Sequence, residues 1–339
     1  MKAIVYSAPR EFVFRDVPDP EIAGDEVLLR VRACGICGTD LHIHEGEFLA
    51  RFPLIPGHEF AGEVAAVGSA VENLQVGQQV VADNTEMCGA CFYCRRDQPL
   101  FCENLLSHGV NTAGGLAQYV LVKAAKVFPF RNLSWREAAM VEPTACAIHG
   151  MDIIALKPGS DVLLFGAGPT GIVLAQLLKL NGAARLTVAA PKGRKLDLIE
   201  QLCADEVVVM EKNDQSSYHH RLRETSPRGF DYVIEATGSP QVCEQSIEYV
   251  RQGGELVVYG VYPEAARLSW SPYEIFRRQI TIKGSFAQSH CFDRALQYLE
   301  SRKVKVDQVV TEEFELSDYA SALDTVRSHR GIKTVVLPL

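Results

Sequence analysis

No apolar run in this chain approaches the ~20 consecutive residues that a membrane-spanning helix needs. That absence excludes an α-helical membrane protein. The amino terminus, Met1 to Val17, alternates like a strand and has no long apolar segment of the signal-peptide kind, so a cytosolic protein is expected. Basic charge is also in short supply. Lys and Arg total 34 against 42 Asp and Glu, a net charge of −8, which argues against bulk nucleic-acid binding. Internal repeats and low-complexity tracts are absent. What is present, 47% apolar residues and a mean hydropathy near zero, fits a folded globular protein. At 339 residues the chain exceeds one ordinary core, so two domains are expected. Ten cysteines in a long chain without an export signal point to metal binding or burial rather than to disulfides.

The texture changes along the chain. Up to about residue 145, short β-like runs such as EVLLRVRA, AGEVAAVG and AQYVLVKAAKVFPF are punctuated by glycine and proline. From about residue 155, short apolar strands alternate with helix-length segments: DVLLFGAG, PTGIVLAQLLKLNG, ARLTVAA and GRKLDLIEQLCA. That alternation predicts a parallel, helix-covered sheet. After about residue 287 the chain returns to a helix and ends on a strand, IKTVVLPL. We therefore expect an α/β protein with two domains. Residues 1–150 and 287–339 form an irregular β-barrel-like domain with a cysteine lobe at 83–105. Residues 151–286 form a doubly wound parallel-sheet domain inserted between them.

Between a predicted strand and helix, LLFGAGPTG presents Gly166, Gly168 and Gly171 as G-x-G-x-x-G, with Pro169 and Thr170 inside the turn. The first glycine permits the tight turn, the second the approach of a pyrophosphate, and the third close helix packing. The helix N-terminus then supplies anion binding through its free amides. In such folds the next strand usually ends in a carboxylate that binds the ribose 2′-hydroxyl. Here that place falls on Ala190, followed by Lys192, Arg194 and Lys195. An absent carboxylate and a basic cluster favour a 2′-phosphate, hence NADP(H), with NAD(H) the alternative.

CGACFYCRRDQPLFC sets Cys88, Cys91, Cys94 and Cys102 as C-x2-C-x2-C-x7-C. Four thiolates this close can close a tetrahedron around one structural zinc ion. Iron–sulfur ligation is the rival, but a proline usually follows the fourth cysteine there, whereas Glu103 follows Cys102. A second donor set, Cys37 with His58 and Glu59, suits zinc with a position left for water or substrate.

With Gly57-His58-Glu59-x-x-Gly62-x-x-x-x-x-Gly68, the glycine turn and the cysteine lobe, the whole chain resembles the zinc-containing medium-chain dehydrogenase/reductase family. That resemblance implies a GroES-like catalytic domain and a Rossmann domain, with the site in the cleft between them. It is strongest toward the polyol dehydrogenases of the sorbitol, xylitol and arabinitol types, because Glu142-Pro143 stands where alcohol dehydrogenases proper carry a cysteine ligand. The resemblance implies catalytic zinc held by Cys37, His58 and Glu59, with Glu142 reaching it directly or through water. It assigns Asp40 to hold the His58 ring, and Thr39 and His42 to relay the substrate proton. Gly260, Val261, Ser285 and Phe286 are implied cofactor contacts.

The implied reaction is reversible oxidation of a secondary alcohol to its ketone by a homodimer or homotetramer. Two departures bear on the substrate. Ala287-Gln288 follows Phe286 where sorbitol-type enzymes commonly have Arg-Tyr, and Ile43 and His44 replace a tyrosine common just past the relay histidine. These favour a pentitol such as arabinitol over a hexitol, with a small vicinal diol or another secondary alcohol as the alternative. A catalytically silent NADPH-binding relative is the remote one.

Overall fold

Alternation of inward and outward side chains organises the first part of the chain. β1 (Lys2–Ala8) and β2 (Glu11–Asp16) form an antiparallel hairpin. β3 (Glu26–Ile36) buries Val27, Leu29 and Val31 on one face, the period of two that a half-buried strand requires. Full burial stabilises by about 1.5–3 kcal/mol per side chain as an upper figure. The chain turns from β3 directly into α1 (Gly38–Glu45) and later returns as β4 (Glu59–Val67), antiparallel to β3. The remaining elements of this part are β5 (Gln79–Ala82), β6 (Thr85–Glu86), β7 (Leu106–Ser107), β8 (Tyr119–Lys123), β9 (Val127–Pro129) and the helices α2 (Trp135–Ala138) and α3 (Val141–Ile154).

Strands and helices then alternate: β10 (Asp161–Phe165), α4 (Pro169–Leu180), β11 (Arg185–Ala190), α5 (Arg194–Leu202), β12 (Glu206–Val209) and α6 (Gln215–Thr225). β13 (Phe230–Glu235), α7 (Pro240–Ser246), β14 (Val250–Val258), α8 (Pro272–Arg278) and β15 (Thr281–Gly284) complete the series. All five strand pairings are parallel, in the order β12-β11-β10-β13-β14-β15. This is the doubly wound dinucleotide-binding order, with its switch point between β10 and β13. The tail contributes α9 (Phe292–Glu300), β16 (Val310–Glu315), α10 (Tyr319–Arg327) and β17 (Lys333–Leu337).

This computed structural model describes residues 1–211 and 215–338. They fall into two units, Met1–Ala145 with Ser289–Leu339, and Cys146–Gln288. In the first unit β17 pairs antiparallel with β3, so the carboxy-terminal tail completes a seven-stranded sheet, β16-β17-β3-β4-β5-β9 with β8 also on β3. The first boundary between the units falls after Ala145, within α3. Among the described residues, no helix is long and apolar enough to cross a membrane.

Candidate metal centres and cofactor turn

The inner site starts from the end of β3. Cys37 is the N-cap of α1: its sulfur accepts the Thr39 amide at 3.2 Å, and Asp40 Oδ2 accepts the Cys37 amide at 2.9 Å. This reciprocal cap places the Cys37 sulfur at the N-terminus of α1. His58 and Glu59 arrive at the start of β4, on the strand paired with β3. Cys37 Sγ lies 3.1 Å from His58 Nε2, and the ligand atoms of Cys37, His58 and Glu59 all lie within 4.8 Å of one another. Zinc–sulfur and zinc–nitrogen bonds of about 2.3 and 2.0–2.1 Å put neighbouring ligand atoms roughly 3.5 Å apart, so the set is sized for one zinc ion. The donors fit the metal in type as well as in spacing.

Electrostatics tie two further carboxylates to this centre. Asp40 Oδ1 lies 3.7 Å from His58 Nδ1, an ion-pair distance rather than a hydrogen bond. Burial alone would lower His58, but the charges of Cys37, Asp40 and Glu142 hold its imidazolium well above the ordinary histidine value. Glu142 sits in the first turn of α3 and acts on His58 through charge, outside the three convergent ligand atoms. Burial raises Asp40 above the usual carboxylate range, against the pull of His58.

Thr39 and His42 are three residues apart on α1 and therefore share a face of that helix. His42 Nδ1 bonds Glu47 Oε2 at 2.7 Å, which fixes the ring and leaves Nε2 for another partner. His44 takes no place at this site. Its Nδ1 contacts the Tyr6 hydroxyl at 2.8 Å, and Tyr6 in turn contacts Tyr319 of α10 at 3.2 Å. Burial, with Arg327 nearby, lowers the His44 pKa, so the neutral ring can accept the Tyr6 proton.

One residue at the centre is not foreshadowed by the sequence motifs. Lys333, the first residue of β17, forms an ion pair through Nζ with Glu59 Oε2, and both side chains are 2% exposed. The two meet over Gly35 of β3, which pairs with Glu59 on one side and with Val335 on the other. A Cβ at position 35 would fall 2.0 Å from Glu59 Oε2 and 3.0 Å from Lys333 Cε, so only glycine leaves the passage open. A lysine opening an otherwise apolar strand reads as an exposed strand end. Its tertiary address is what makes it notable.

The four-cysteine lobe is made differently. The sulfurs of Cys88, Cys91, Cys94 and Cys102 lie within 4.8 Å of one another on a loop stiffened by short turns at Cys94–Arg96 and Pro99–Phe101. The amides of Cys88 and Asn104 donate to Cys102 Sγ at 3.3 and 3.4 Å. The Ala90 and Cys91 amides pull the Cys88 thiol down to about 6. Desolvation, with the thiols of Cys91 and Cys102, pushes Cys94 up to about 12. Four sulfurs, joined by no fifth donor among the described residues, suit a closed tetrahedral zinc site, which is structural because no position remains for a reactant.

At the glycine turn, Gly166 has φ +109 and Gly168 is the N-cap of α4, with Pro169 at its first position. A Cβ on Gly171 would meet the Gly166 carbonyl at 2.5 Å, whereas a Cβ on Gly168 would meet nothing within 4 Å. Close packing therefore explains the third glycine. The open space over the second, at a helix N-terminus, fits a diphosphate. β11 ends on Ala190, which is buried, and the next turn carries exposed Lys192 and Arg194 and half-buried Lys195 into α5. Burial lowers the Lys195 pKa. Beyond β14, Gly260 packs against Gly238 and Val261 is exposed; after β15, Ser285 Oγ is buried and Phe286 exposed.

A second unforeseen residue, Glu235, closes β13 beside the turn. It is fully buried and accepts hydrogen bonds from the Thr237 amide at 2.7 Å, the Thr237 and Tyr262 hydroxyls and the Gly238 amide at 3.4 Å. It thereby ties together the loops that follow β13 and β14. The signal was available in EATG, a carboxylate at the end of a buried strand.

Residues 23–132 match the alcohol dehydrogenase GroES-like domain, and residues 169–301 match the zinc-binding dehydrogenase domain. The chain belongs to the zinc-containing medium-chain dehydrogenase family. It is a zinc-dependent polyol or alcohol dehydrogenase, an oxidoreductase, and its resemblance within the family is to the arabinitol type. D-arabinitol dehydrogenase 1 of Uromyces fabae is 52% identical over 339 residues, covering 100% of this chain and 97% of that one. D-altritol 5-dehydrogenase of Agrobacterium fabrum is 34% identical over 325 residues, 94% of each chain. A zinc-binding dehydrogenase from Sinorhizobium meliloti 1021, solved bound to NADP, superposes with a TM-score of 0.91 at 31% identity, covering 99% of both chains.

Proposed function

We propose that this protein reversibly oxidises a secondary hydroxyl of a pentitol, of the arabinitol class, to the ketose, with NADP(H) as hydride carrier. The donor set of Cys37, His58 and Glu59 carries the chemical part of this reading, and the 52% identity to a D-arabinitol dehydrogenase supports the substrate class. Zinc held there supplies Lewis acidity, which lowers the pKa of the reacting hydroxyl. NADP supplies the hydride acceptor. The residues of the chain then have separate tasks. The Thr39 hydroxyl accepts the substrate proton and His42, steadied by Glu47, receives it further along. Asp40 orients His58, and Glu142 adds negative charge that His58 senses.

The cofactor preference rests on Ala190 and on the basic turn of Lys192, Arg194 and Lys195. A carboxylate at the strand end would repel a 2′-phosphate, and the three cations attract one. The NADP complex of the Sinorhizobium meliloti relative is in keeping with this. A homo-oligomer is part of the proposal: α8 exposes Tyr273 and Phe276, at 65% and 81%, just before the open sheet edge at β15. The small-diol reading is kept because Ala287-Gln288 departs from the hexitol pattern.

One kinetic panel tests all of this. The kcat/KM values for D-arabinitol, xylitol, sorbitol and 2,3-butanediol are measured with NADP and with NAD, alongside the mass of the particle in solution. The reading expects D-arabinitol with NADP to lead. A leading butanediol would overturn the substrate, and NAD equal to or better than NADP would overturn the cofactor preference.

A further inference from the structure

Lys333 is buried within a site already crowded with ligands, and its role depends on that inner site being the zinc centre of the proposed function. Its Nζ is paired with Glu59 Oε2, and the charges of Cys37 and Asp40 act on it as well. Among the described residues, the ion pair with Glu59 is the one Lys333 makes. Burying an ammonium is costly unless it is paired, so this arrangement is maintained against a penalty. The backbone is shaped around it, since Gly35 must lack a side chain for the two groups to meet.

The consequence concerns the carboxylate. A carboxylate has two oxygens, and here one of them, Oε2, is engaged by a fixed cation. A cation on one oxygen also draws charge away from the other and repels a second cation brought into the same low-dielectric pocket. At the same time Lys333 offsets the buried charge of Glu59 when no metal does. Both effects act in one direction: they stabilise the metal-free chain and weaken its hold on zinc.

We propose that Lys333 is a resident cation of the inner site, a positioning residue that holds Glu59 through Oε2 and thereby limits the zinc affinity of the Cys37–His58–Glu59 set. Lys333 does not touch the substrate. It acts through Glu59, keeping the carboxylate from becoming a full-strength ligand.

The test measures metal retention rather than turnover. Wild type, Lys333→Met and Lys333→Arg are purified in zinc, and zinc transfer from each to a chromogenic chelator is followed. Cys37→Ser serves as the reference that assigns the inner-site phase, since it removes that phase and leaves the four-cysteine phase. Lys333→Met is expected to slow inner-site release at least tenfold and to widen the Tm gap between zinc-loaded and chelated protein. Lys333→Arg, which keeps the charge, is expected to stay within about threefold of wild type. In a Glu59→Gln background the effect of Lys333→Met should vanish, because the coupling runs through the carboxylate. Should Lys333→Met fold only with zinc bound, its release rate is still measurable. Unchanged or faster inner-site release in Lys333→Met overturns the proposal. An unaltered zinc content in Cys37→Ser overturns instead the zinc reading on which it rests.

Discussion

Cys88, Cys91, Cys94 and Cys102 come from one loop, and their sulfurs are drawn together by local turns and neighbouring amides. Cys37 caps α1, His58 and Glu59 stand where the chain enters β4, and Lys333 from β17 backs them. The first site is a closed set of like donors on an outlying loop. The second mixes thiol, imidazole and carboxylate in a buried pocket that also holds Asp40 and Lys333. A closed site needs only spacing, which a short loop supplies. An open site needs an uneven set of donors, a counter-charge and a fixed approach, and a sheet that gathers distant strands supplies those. Stability is thus a local matter in the lobe and a global one at the inner site.

The sharpest attack on this contrast is Cys37→Ser. It should lower kcat/KM by at least ~10³-fold, a few kcal/mol of lost electrophilic stabilisation, while circular dichroism stays native. Equal activity in the variant would place the chemistry elsewhere. Next in size is Ala190→Asp, which changes another locally encoded device. It should shift the ratio of kcat/KM for NADP over NAD toward NAD by roughly tenfold or more. An unmoved ratio would reduce the basic turn to a solvated helix start.

Cys94→Ser sharpens the comparison from the other side. Zinc content should fall by one ion per chain and Tm by on the order of 10 °C, with kcat of the surviving folded protein changed little. A large loss of kcat at unchanged Tm would contradict a structural lobe. The smallest effect is expected at His44, which anchors α1 from behind. Its pKa is lowered in the fold, so the stability it contributes is present above the unfolded value of 6.5 and is lost as pH falls through the lowered folded value. Between pH 7.5 and 5.5 the Tm of wild type should therefore fall more than that of His44→Phe, by roughly a degree or two. Parallel pH profiles would mean that His44 is not buried neutral.

Much of this was legible because it is encoded over short distances. The G-x-G-x-x-G turn, the end of β11 at Ala190 and the cysteine spacing each lie within one turn or one strand end, where sterics and spacing speak for themselves. The alternation of strand and helix patterns was sufficient to expect a parallel sheet, and the observed order puts Gly166 and Glu235 at its switch point. Other contacts could not be read. His44 stands on the same short helix as His42, yet it turns into an aromatic cluster centred on Tyr6, which lies 38 residues from His44 and 313 from Tyr319 in sequence. Asp40 was expected beside His58, 3.7 Å away in the structure, but the bond from the Cys37 amide to its other oxygen was not.

The sequence by itself determined the donor types, the glycine turn and the basic residues beyond Ala190, because each depends on residue identity at short spacing. Tertiary structure alone decided that the last strand should lie beside β3. Only that pairing carries Lys333 across Gly35 to Glu59, since a charge can be buried where a distant strand brings its partner and nowhere else.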